Sequence, residues 1–205
     1  MTSVEATVKA QFAKVFTAAD STLFKQVAEI NLREAAELLT TDISGPEHLH
    51  LLMRNARKPL LIGIGVELLL KAIYLKEGYF INSPRKGIRP FFPMKFARAA
   101  EAQYAQDETI SLNKLIQGLS KVVVLNDAAV TERGLAIAKV FRNKEGHSVT
   151  ASHAFDPTNY TDIAASLVNI YRDVFAQSLS VRFSMVANEP AIWKIGRLRS
   201  AAATH

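Results

Sequence analysis

The chain predicts an all-α fold, a helical bundle, on three observations. Apolar residues recur at helical spacing through most of the 205 residues. The stretch from about Lys58 to Lys76 is apolar nearly all round, as a helix enclosed by others must be. Alternation of period two appears only after residue 178. Hydrophobic residues make up 49% of the sequence, enough for a folded core, and the length suits a single domain over 1–205.

Each element has a local signature. Val4, Val8, Phe12, Val15, Phe16 and Ala19 keep one face of an N-terminal helix apolar. Asp20 or Ser21 can cap a second helix, whose expected inner face carries Leu23, Val27, Ile30 and Leu38. Ser44-Gly45-Pro46 marks a turn. The long central helix begins near Lys58, and Gly78 can end it. Pro84, Gly87, Pro90 and Pro93 then break helical structure and make a loop. Met94 to Gln106 reads as a short amphipathic helix. Asp107 to Thr109 can cap the next, which bears Leu112, Leu115, Ile116 and Leu119. Asn126 or Asp127 can cap a helix carrying Val130, Leu135, Ala138 and Phe141. Asp156-Pro157-Thr158 opens a last strong helix with Ile163, Leu167, Ile170, Tyr171 and Val174 inside. Leu179, Val181, Phe183 and Met185 alternate with polar residues as a strand, Asn188-Glu189-Pro190 turns, and Ala191 to Ile195 returns as its partner in a short hairpin.

Composition narrows the partners. Cysteine is absent, which excludes a disulfide scaffold and thiolate metal sites and fits a reducing compartment. Met1 to Glu5 lacks a basic stretch ahead of an apolar one, so no signal peptide is expected. The apolar run from Pro59 to Leu75 is interrupted by Glu67 and Lys71, so no membrane span is expected either, and a cytoplasmic protein is anticipated. Net charge is +6, and Arg85, Lys86, Arg89, Lys95 and Arg98 lie in a stretch with no acidic residue. Such a block suits an anionic partner, of which nucleic acid is the commonest, or is simply a solvated loop.

The residues richest in chemistry are Arg142-Asn143-Lys144-Glu145-Gly146-His147. A guanidinium stays charged and can hold two phosphate oxygens, while an imidazole exchanges protons near neutrality. Five positions apart on a straight helix, Arg142 and His147 would point roughly 140° away from each other. Gly146 permits a bend that brings both side chains to one cleft. Without such a bend, the Arg-Asn pair simply finishes a helix and His147 is a surface residue.

With this motif the chain resembles the HEPN superfamily of small all-helical proteins, many of them ribonucleases. The family motif is Arg, a polar residue that is often Asn, and a His a few positions on, which Arg142, Asn143 and His147 match. Gly65 to Ala72, with Glu67 ahead of a Leu/Lys/Ala run, is similar to the family's early helix, and the helices flanking the motif resemble its closing pair. The likeness covers roughly residues 20–178. It leaves out the N-terminal helix, the basic loop insertion and the C-terminal extension 179–205. Some relatives carry Tyr two positions after the His, where this chain has Val149.

The resemblance implies a metal-independent endoribonuclease, with no cofactor, acting as a toxin or in phage defence, and an antitoxin protein as a possible partner. RNA brings its own nucleophile, the 2′-hydroxyl. His147 would move its proton or protonate the leaving 5′-oxygen, Arg142 would stabilise the charge on phosphorus, and Asn143 would fix orientation. The products would be a 2′,3′-cyclic phosphate and a 5′-hydroxyl. One chain brings one such imidazole where acid and base are both wanted, so a homodimer with two motifs across one cleft is expected. The alternative is a non-catalytic HEPN-like module that binds RNA, a nucleotide or a partner protein.

Other residues support this or fall away. Glu67, on an otherwise apolar helix, needs a partner, either Lys71 in the i,i+4 order or Arg142 or His147, which it would orient. Lys144 and the loop cations Arg85, Lys86, Arg89, Lys95 and Arg98 are the candidate RNA contacts, with Phe80, Phe91, Phe92 and Phe96 as stacking faces or as core anchors. Gly63-Ile64-Gly65 lacks the third glycine of a dinucleotide fingerprint and reads as a site of close helix packing. His48 and His50 have no accompanying ligand cluster, so no metal site is expected, and His153 and His205 read as surface residues.

Overall fold

The computed structural model describes residues 3–4, 6–7, 20–38, 56–81, 93, 95, 109–144, 156–184 and 190–198. These residues are mostly helical with one small antiparallel sheet. In order they form α1 (Ser21–Glu37), α2 (Lys58–Lys76), α3 (Leu112–Gly118), a 3₁₀ turn (Leu119–Lys121), α4 (Ala128–Lys144), α5 (Pro157–Phe175), β1 (Gln177–Arg182) and β2 (Ile192–Arg197). Of the expected N-terminal helix only Val4, Ala6 and Thr7 are described, and they are helical; of the helix expected over Met94–Gln106 only Lys95 is described, and it forms a bridge with Tyr79 instead; the Ser44–Pro46 turn lies outside the described residues. The chain groups into two compact units, Met1–Val27 with Glu67–Val123 and Ala28–Val66 with Val124–His205, so the division falls inside α1 and α2.

The helix starts follow their caps. Asp20 accepts the Thr22 N–H at 2.8 Å ahead of α1, and Asp127 accepts the Val130 N–H ahead of α4. Asp156 accepts both the backbone N–H and the hydroxyl of Thr158 ahead of α5, with Pro157 in the first helical turn. These bonds also hold the Asp156 carboxyl below its ordinary range, the backbone bond first. At the far end of α2, Gly78 adopts φ +81°, its N–H bonds the Leu75 carbonyl, and the Tyr79 N–H bonds the Tyr74 carbonyl. This pair of bonds closes a helix around a left-handed residue that glycine adopts without strain.

In the first unit the later part of α2 is buried all round, every residue from Leu69 to Leu75 included. The Tyr74 hydroxyl donates to the Leu115 carbonyl at 2.7 Å, and burial pushes its phenol well above the ordinary range. Two expectations are corrected here. The third helix starts behind Ser111 rather than at Asp107–Thr109. The Ile110 N–H is tied to the Ile81 carbonyl at 2.7 Å, which keeps this residue out of the helix. The Thr109 hydroxyl serves Lys71 instead, at 3.0 Å.

In the second unit α4 packs along α5, and α5 packs on the hairpin. Gly134 makes the first contact close: a Cβ there would lie 2.5 Å from the Asp162 carbonyl oxygen and from the Ser166 Cβ. The Ser166 hydroxyl donates to the Thr131 carbonyl at 2.9 Å. The expected inner face of α5 is buried throughout, from Ile163 to Val174. Asp173 receives Arg172 and both the backbone and side-chain N–H groups of Asn126, and these bonds, Arg172 first, lower its pKa to about 2. The expected strand pair is present, with Leu179 opposite Ile195 and Val181 opposite Trp193, but the first strand already begins at Gln177 and the second runs from Ile192 to Arg197 rather than from Ala191 to Ile195. Trp193 meets the Tyr171 ring edge-on, and the buried Tyr171 hydroxyl donates to Glu29 at 2.8 Å.

The inner face expected for α1 is the second correction. Leu23, Val27 and Ile30 are exposed, Ile30 by 63%, while Phe24, Ala28, Leu32, Ala35 and Ala36 are buried beside Leu38. The reason lies in the neighbouring helix. A Cβ on Gly65 would fall 2.6 Å from Leu32 and 3.2 Å from the Ala28 carbonyl oxygen. Such an approach selects the alanine-bearing side of α1 over the side with the larger aliphatic residues.

Candidate functional site

Arg142 stands in the last described turn of α4, half-buried, and the following Asn143 is exposed. What fixes Arg142 is glycine. A Cβ on Gly63 would lie 2.7 Å from the Arg142 nitrogen, Cα and Cβ, so α2 and α4 touch backbone to backbone at this residue. The close packing expected of Gly63-Ile64-Gly65 is therefore present twice, with Gly63 against α4 and Gly65 against α1. Any side chain at Gly63 would have to displace a backbone, which is costly in a packed interior.

The residue before Arg142 ties this turn to the start of α5. Phe141 is buried, and its ring lies 5.5 Å from the Tyr160 ring. Tyr160 in turn meets Phe183, just past β1, at 6.2 Å. Lys58, the first residue of α2, is fully buried behind these rings. Its ammonium lies 5.6 Å from the Tyr160 ring centre and donates to the Ser184 carbonyl. A buried ammonium needs such acceptors, and the ring face supplies further negative potential. Beside the same residues a cavity of about 380 Å³ opens between Pro157, Tyr160, Thr161 and Ala164 of α5 and Val181, Arg182 and Phe183.

Of the motif, Arg142 and Asn143 are placed as described, and Lys144 belongs to α4, whereas Gly146 and His147 lie outside the described residues, as do Arg85, Lys86, Arg89 and Arg98. Glu67 accepts from the Lys71 ammonium at 2.7 Å, the i,i+4 pair that was one of the two arrangements the sequence allowed, with side chains 16% and 7% exposed. Lys95, the one loop cation described, is exposed, and its ammonium sits 5.2 Å from the Tyr79 ring. Tyr79 and Lys95 also form an antiparallel bridge, so the basic loop is closed at its neck.

Sequence reasoning missed Lys58, Tyr160, Arg182 and Phe183. For Lys58 a signal existed: a cation at the first position of a largely apolar helix, where the helix dipole disfavours it. Among the described residues no three His, Cys, Asp or Glu side chains come together as a metal site, and no helix is long and apolar enough to cross a membrane. No family model, curated protein or solved structure matches the chain.

Proposed function

We propose that the chain is an endoribonuclease of the HEPN type, cytoplasmic and homodimeric, that cleaves RNA without a metal by attack of the 2′-hydroxyl. The observation that supports this best is the seating of Arg142. A cation meant to stabilise charge on phosphorus must be held in place before the substrate arrives, and the contact with Gly63 immobilises its backbone. Asn143 beside it is exposed and free of the core, as a substrate-orienting amide must be. In this scheme His147 exchanges the proton with the 2′-hydroxyl or the leaving 5′-oxygen, and Arg142 binds the non-bridging oxygens. A second subunit supplies the complementary imidazole. The basic loop, including Lys95 at its neck, tracks the phosphates. A role as a toxin or phage-defence effector, with an antitoxin partner, follows from the same resemblance.

The test is cleavage of RNA in EDTA by the wild type, Arg142→Ala and His147→Ala. Removing a preorganised charge partner or a general acid–base group is expected to cost about 10²–10⁴-fold in rate. Cleavage unaffected by both substitutions would overturn the assignment. RNA binding with no cleavage by any form would make the chain a non-catalytic HEPN-like binding module instead.

A further inference from the structure

We propose that the cavity between the first turns of α5 and the end of β1 seats one nucleotide of the RNA strand, next to the bond served by Arg142; this rests on the ribonuclease assignment above. At about 380 Å³ the cavity lies at the small end of ligand pockets, a size for one nucleotide rather than several. Part of its lining is apolar, from Pro157, Ala164 and Val181 together with Tyr160 and Phe183. Tyr160 and Phe183 are each only 4% exposed, so the apolar surface offered to a base comes mainly from the aliphatic groups. Its mouth is polar, with the Thr161 hydroxyl and the Arg182 guanidinium both on exposed residues.

The division of labour follows from that chemistry. A guanidinium at the mouth suits a phosphate, which it can bind through two parallel N–H bonds, and its planar face also suits a base. The hydroxyl can donate to or accept from the polar edge of a base. Among the described residues no acidic side chain lines the cavity, and the buried Lys58 ammonium near Tyr160 adds positive potential. Asp156, whose carboxylate is taken up by Thr158, caps α5 outside the lining. The location fits as well. Tyr160 touches Phe183 and Phe141, and Phe141 precedes Arg142, so the cavity lies at the motif-bearing end of the α4–α5 pair.

Calorimetric titration of the full chain with adenosine and uridine 3′-monophosphates, the parent nucleosides and inorganic phosphate tests this. The monophosphates are expected to bind tighter than either fragment. Arg182→Gln should remove about tenfold of monophosphate affinity and with it the advantage over the nucleoside. Ala164→Leu, which fills the cavity from its side, should weaken nucleoside and nucleotide alike by about tenfold, with melting temperatures of both variants close to that of the wild type. The seat is overturned if inorganic phosphate binds as well as the nucleotides, if neither variant changes binding, or if the wild type shows none at millimolar ligand. Cleavage is judged separately by mapping product ends. Monophosphate binding that both variants weaken, in a protein that leaves RNA intact, sustains the seat and ends the ribonuclease assignment. Cleavage that needs Arg142 and His147, with binding and base preference beside the cut unmoved by Ala164→Leu, does the reverse.

Discussion

Helices α1 and α5 carry equally regular apolar spacing, yet only α5 buries the stripe that the spacing marks. Ile163, Leu167, Ile170, Tyr171 and Val174 are all inside, whereas Leu23, Val27 and Ile30 of α1 are outside. The two helices differ in what they meet. In α5 Gly134 brings a neighbouring backbone up to Asp162 and Ser166, while the large apolar residues of its stripe are all buried. In α1 Gly65 brings a neighbouring backbone up to Ala28 and Leu32, and alanines occupy most of the inner face. Periodicity finds a helix, but it ranks faces by residue size and hydrophobicity. Where the partner is a glycine, shape decides instead.

The contrast can be broken most strongly at the two buried centres. Leu32→Ala and Ile170→Ala should each cost about 2–5 kcal/mol of unfolding free energy, read by denaturant titration. A cost near zero at Leu32 would return α1 to the face its sequence suggests. Gly65→Ala should follow at about 1–3 kcal/mol, because its new methyl group meets Leu32 at 2.6 Å and this side chain has to move.

Next is the acid limb of the α5 comparison, at Asp173. Its carboxyl is lowered in the folded state to about 2 from an ordinary 3.8, so its stabilising contribution is present above pH 4. That contribution is lost as pH falls through 4 towards 2, when the folded state must take up the proton. Asp173→Asn should flatten the stability profile across this window, at a cost near neutrality of about 1–2 kcal/mol. An unchanged profile would mean that the Arg172 and Asn126 bonds do not persist in solution. The smallest effect should come from Ile30→Ser, within about 0.5 kcal/mol of the wild type, since this side chain is already 63% exposed. A loss above 2 kcal/mol would show that something covers the stripe.

The site divides in the same way as the helices. Arg142 and Asn143 could be picked out as candidates because the motif is contiguous, and Lys71 could be offered as one of the possible partners of Glu67 because i,i+4 residues share a helix face. The glycine pair signalled tight packing, but not that Arg142 would be what Gly63 touches. Lys58, Tyr160 and Ser184 are separated by long stretches of chain, and no local pattern announces that one ammonium will reach both others.

What the sequence determined by itself is what a few neighbouring residues can enforce: the starts of α1, α4 and α5 close to Asp20, Asp127 and Asp156, the left-handed stop at Gly78, the span of α2 and the presence of a strand pair after α5. Each rests on hydrogen bonds or backbone angles set within one turn or one strand pair. Tertiary structure alone decided which side of α1 is buried, that α2 and α4 meet at Arg142, and that a buried cation stands behind the cavity beside Tyr160. Those outcomes depend on the shapes of two surfaces meeting, and the fit between distant surfaces is fixed only once the chain has folded.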